Sequence, residues 1–213
     1  MQKTAICACI LFVAQHRALA QTAAGDEIQK RANAAAAAAA PRQQPFIPMT
    51  QAQRLRYYFN STFSLSTVAV AAAGAGTLQL WNIPKEWGQG AEGYGRRMGD
   101  LYGQHIIVQT LMYGSSSLLH EDNRYFRSGK PGLWPRLKYA AMSALITRRD
   151  DGSTRFAYTR IGSFAAGAFI SRAWQPRSIT SAGDGAVNFG SFVAVQVGFN
   201  VAREFFPRFI HDP

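Results

Sequence analysis

Cysteine is almost missing from this chain of 213 residues: there are two, Cys7 and Cys9. Both lie within a stretch expected to be removed, which excludes a disulfide framework and a thiolate metal site from what remains. Acids are scarce as well, 12 against 23 Lys and Arg, for a formal charge of +11. No charged side chain occurs between Asp184 and Arg203, within 63–81, or within 101–119. Segments of that kind are either deeply buried or lie in a bilayer. Also absent are a P-loop, a G-x-S-x-G nucleophile elbow and any standard metal-ligand spacing, so no metal and no cofactor is expected.

The N-terminus has Lys3, an apolar run over 4–14, and Ala18-Leu19-Ala20 before Gln21, the layout of a secretory signal peptide cut after Ala20. The run is too short to cross about 30 Å of hydrocarbon. Its removal takes away two basic residues, Lys3 and Arg17, and no acid. The formal charge of +11 then becomes +9. Such a balance favours phosphate-bearing surfaces. For an exported protein, in the periplasm or outer membrane, that means lipid headgroups or lipopolysaccharide, with no nucleic acid expected.

Residues 21–49 cannot build a core. Seven alanines, Ala34 to Ala40, are followed by Pro41, Pro45 and Pro48, and the composition reads as a disordered leader. A single domain is expected over 50–213. It starts where Thr50-Gln-Ala-Gln53 matches a capping box and Leu55, Tyr58, Phe59 and Phe63 recur at helical spacing.

Small residues then recur every fourth position, at Ala182, Ala186, Gly190, Ala194, Gly198 and Ala202 and again at Ala91, Gly95, Gly99 and Gly103. On a helix this spacing clears a strip for close approach of another backbone. Gly95, Gly99, Gly103, Gly190 and Gly198 are therefore candidate packing positions, within the chain or in a homo-oligomer. Trp134 to Ile146 is expected as a short helix, Asp151-Gly152 as a hairpin turn, and Thr159 as the cap of a helix ending before Pro176.

The fold expected is mainly α: a Gly/Ala-rich helical bundle with one short β-hairpin, suited to a membrane. The competing pattern is the strict alternation of Val193, Val195, Val197, Phe199 and Val201 with smaller or polar residues, which would fit a strand of a small outer-membrane β-barrel. Too few hairpin signals accompany it for a barrel.

Residues 87–97 (WGQGAEGYGRR), 118–127 (LLHEDNRYFR) and 147–152 (TRRDDG) resemble those of a group of exported bacterial proteins of the acidobacterial kind. The resemblance covers about 50–210. It implies export and brings no activity with it.

Two kinds of site are then candidates. His120, Glu121 and Asp122 place a titratable imidazole beside two carboxylates, the materials of general-base or metal-dependent hydrolysis. Neighbouring residues do not share a face, however, so the simpler expectation is a loop whose acids pair with Arg124 and Arg127. Arg124, Arg127, Trp134, Arg136 and Lys138 mix basic and aromatic groups as a membrane or anion surface does. Gly88-Gln-Gly90 with Gly93 fits G-x-G-x-x-G, but no buried strand precedes it. The functional expectation is a non-enzymatic envelope protein associated with or embedded in a membrane; the alternative is a hydrolase using His120, Glu121 and Asp122.

Overall fold

The computed structural model describes Lys30, Arg31 and residues 46–206. The expected signal peptide and most of the expected leader lie outside the described residues. The chain divides into two compact units. In the first, residues 1–43 with 129–132, Lys30 and Arg31 are helical, and Gly129 and Gly132 hold positive φ angles of 60° and 85°. The second unit, 44–128 with 133–213, carries everything below.

It is mainly helical. Helix α1 (Gln51–Phe63) starts at the expected capping box, with Thr50 Oγ1 accepting from Gln53 N and the Gln53 side chain closing back on Thr50 N. Ser64 ends α1 and caps α2 (Leu65–Leu80). Helix α3 (Gly90–Leu119) runs 30 residues, about 45 Å at 1.5 Å per residue. A three-stranded antiparallel sheet follows, with β1 (Glu121–Asp122), β2 (Ile146–Arg149) and β3 (Thr154–Phe156) in that order. Helix α4 (Leu133–Met142) stands between β1 and β2, α5 is Tyr158–Ile170, and α6 is Ala182–Phe205. The alternation around Val195 thus lies in a helix, which a second capping box, Ser181 with Asp184, begins.

Partners along the helices give their directions. Tyr58 Oη meets Thr110 Oγ1 at 3.0 Å, and Tyr94 Oη donates to Ala72 O at 3.1 Å, so α1 and α2 run antiparallel to α3. Helix α5 is also antiparallel to α3, with Thr159 beside Glu121 and Trp174 beside Asp100. Helix α6 is parallel to α3, Asn188 donating to Gln104 at 2.7 Å. The sheet and α4 gather at the end where α3 stops.

Several expectations shift. The hairpin at Asp151-Gly152 is present, with Gly152 at φ 83°, but β1 adds a third strand from what reads as a loop, pairing Glu121 with Arg149 and Asp122 with Arg148. Helix α4 stops at Met142 and Ile146 begins a strand. Thr159 does not cap α5; Ala157 stands at that position, because the Thr159 hydroxyl is held by Glu121 at 2.6 Å. Phe46 packs edge-on against Phe126, so the folded unit reaches back beyond Thr50.

Among the described residues, the glycine stripes are not where helices meet. A Cβ built on Gly95, Gly99, Gly103, Gly190 or Gly198 touches nothing within 4 Å. The buried face of α3 is instead Gly93, Arg97, Asp100, Gln104, Val108, Met112 and Ser116, whose mean direction lies about half a turn from that of the stripe. The tight places fall at other glycines, among them Gly167, Gly185 and Gly93, where an added Cβ would meet Val108, the Phe169 ring at 2.9 Å and Gly88 O at 2.5 Å.

Candidate functional site

At the sheet end the buried acids are surrounded by donors. Glu121 is fully buried. Its Oε1 accepts from Arg155 Nε at 2.9 Å and Nη2 at 2.7 Å, and its Oε2 from Thr159 N at 3.1 Å and Oγ1 at 2.6 Å. Asp122, equally buried, accepts from Arg124 N, Nε and Nη2 at 2.6–3.1 Å. The expected pairing with Arg124 is there for Asp122 alone, since Glu121 takes Arg155 from across the sheet. Both oxygens of each carboxylate thus meet donors from within the fold.

His120 turns away from both. It closes α3 in the left-handed region at φ 54°, its side chain is 62% exposed, and Nδ1 lies 3.1 Å from Asp150 Oδ2. Arg54, buried on α1, bonds the other Asp150 oxygen and also reaches Glu121 O and Ser116 O. His120, Glu121 and Asp122 therefore do not converge. No cluster of three metal-ligating side chains occurs among the described residues.

The basic and aromatic residues divide. Arg136 is bound to Glu204, Nε to Oε1 at 2.9 Å, and lies over the Phe205 ring at 4.4 Å. Glu204, buried near the end of α6, also accepts from Tyr125 Oη at 2.7 Å and from Ser128 N and Oγ at 3.1 and 2.6 Å. Burial and that carboxylate push the Tyr125 phenol well above its ordinary value. Arg124 is anchored to Asp122 and Ile47 O. Trp134, Lys138 and Arg127 stay exposed and form the accessible part of the expected surface.

At the far end Arg97, fully buried, holds the α2–α3 connection. It donates to Ile83 O, Gln79 Oε1, Gly88 O, Asn82 Oδ1 and Pro84 O at 2.6–3.3 Å. One turn on, Asp100 accepts from Trp174 Nε1, Gln175 Nε2 and Gln104 Nε2. Burial pushes its carboxyl up, and those three hydrogen bonds pull against the shift.

Between these ends lies a cavity of about 570 Å³. Its floor is Val108 and Met112 of α3 with Arg160 and Phe164 of α5, all under 9% exposed. Its rim is Phe59 and Phe63 of α1 facing Val195 of α6, each about half exposed. Composition and motif spacing gave no sign of this site, because its residues come from five separated segments. Compared with protein families, curated proteins and solved structures, the chain finds no match.

Proposed function

We propose that the protein is a non-enzymatic component of the bacterial envelope, exported by its N-terminal segment and embedded in a membrane, the outer one in cells that have two, through α1–α2 and α6. One observation carries the reading: the distribution of polarity is inverted. The largest fully buried side chains are Arg97, Gln104, Glu121, Glu204 and Asn200, whereas Leu65, Leu80 and Leu118 are at least 80% exposed. A water-soluble fold does the reverse, and apolar surface on this scale marks contact with lipid or a partner. Gln51–Leu80 and Ala182–Phe205 are long and apolar enough to cross a membrane, and only 11% of the most apolar window in each is buried. In lipid the same arrangement is consistent: polar groups hydrogen-bond to one another inside, and aliphatic side chains face the tails.

Cell fractionation tests it. The native protein is expected in the membrane pellet after washes with high salt and alkaline carbonate, and in solution only with detergent. Recovery as a soluble monomer without detergent overturns the reading.

A further inference from the structure

Arg160, on the first turn of α5, is 3% exposed, yet it binds no carboxylate among the described residues. Its Nη1 donates to Ser143 O and Ala144 O at 2.8 and 3.1 Å and its Nη2 to Asn123 O at 3.0 Å. That uses three of the five N–H donors of a guanidinium. Left over are Nε–H and one Nη2–H, and the Nε–Nη2 edge is the one by which a guanidinium grips a carboxylate side-on. Burial works against the charged form; Tyr57 favours it, Arg203 opposes it, and Glu121 and Asp122 favour it.

The cavity that Arg160 lines suits an acid. Arg203 and His105 share its wall, and no Asp or Glu does among the described residues. Away from these groups the wall is apolar, with Val108, Met112, Phe164, Phe192 and Val195. About 570 Å³ is the size of pocket that encloses one drug-sized molecule. The mouth opens between α1 and α6, the two helices assigned above to the bilayer.

The geometry points to a binding site for a single-chain amphiphile with a carboxylate head. The head sits at Arg160, with Arg203 beside it, and the chain lies along Met112, Phe164 and Phe192. This rests on the membrane reading for the route of entry, since a slot between two embedded helices receives a chain sideways from lipid.

The full mature protein in a non-ionic detergent, titrated with cis-parinaric acid and followed by the acid's fluorescence, tests it. Saturation near one per chain is expected, with displacement by oleate but not by millimolar acetate. The corresponding alcohol is expected to bind at least about tenfold more weakly, because it lacks the charge. Val195→Trp, which fills the mouth and removes no polar group, and Arg160→Lys, which keeps the charge but loses the side-on pair, are each expected to weaken binding about tenfold. Circular dichroism checks that both variants are folded. Equal binding of acid and alcohol, displacement by acetate, or wild-type affinity in folded Val195→Trp overturns the assignment. A protein that fractionates as soluble can be titrated without detergent, so the two readings fail separately.

Discussion

At the residue scale the fold is tied together by buried carboxylates whose oxygens are met by several donors each. Glu121 is the clearest: four donors meet its two oxygens, and it ties β1, β3 and the start of α5 together. Removing one partner of a buried ion pair leaves the other desolvated and unmatched. Glu121→Gln is therefore expected to destabilise the protein by about 3 kcal/mol, measured by denaturation in detergent, with a loss under about 1 kcal/mol counting against this role. His120→Gly is the contrasting substitution. The position is left-handed and exposed, and glycine is at ease there. A change within about 0.5 kcal/mol is expected, as for surface sites generally. In the structure the acids of LLHEDNRYFR hold Arg155, Thr159 and Arg124, and the histidine beside them is an exposed cap paired with Asp150.

At the scale of elements, two kinds of glycine must be separated. Gly167 lies against Val108, with no room for a methyl group, and Gly167→Ala is expected to cost about 1–3 kcal/mol through overpacking. Gly190 and Gly198 face open space. In a monomer Gly190→Leu and Gly198→Leu should leave the fold intact, and exchanging glycine for a better helix former adds up to about 1 kcal/mol of helix stability. Should the stripe be the seam of a homo-oligomer, these same variants lower the association state while thermal melting still shows a folded chain. Sedimentation in detergent alongside thermal melts reads both quantities. Destabilised monomers of both leucine variants would contradict the open-space geometry.

For the whole molecule the governing quantity is where charge lies relative to the apolar helices. The end holding the sheet and α4 carries Arg56, Arg127, Lys138, Arg148 and Arg149, while most of its acids are bound to arginines within the fold. That end should sit against anionic headgroups. Purified protein is expected to bind vesicles containing anionic lipid more tightly than zwitterionic ones at low salt. The difference should shrink as ionic strength rises, because the Debye length falls from about 30 Å at 0.01 M to about 10 Å at 0.1 M. Equal binding to both vesicle types at low salt would show that the basic end does not face the membrane.

Some of this is legible from residue order alone. Thr50 with Gln53 starts α1, Asp151-Gly152 turns the hairpin, and runs without charge mark the helices of the bundle, because capping, turn geometry and periodicity act over a few neighbouring residues. What residues far apart do to one another was decided only in three dimensions. A four-residue spacing of glycines says that a strip is small, not which way it faces, and the orientation of α3 was set by Arg97, Asp100 and Gln104 finding partners on α2, α6 and the segment after α5. Glu121 meets Arg155 rather than Arg124 because antiparallel pairing through β2 brings β3 within reach. The cavity at Arg160 exists only because α1, α3, α5 and α6 leave a space between them, and no local pattern encodes a space.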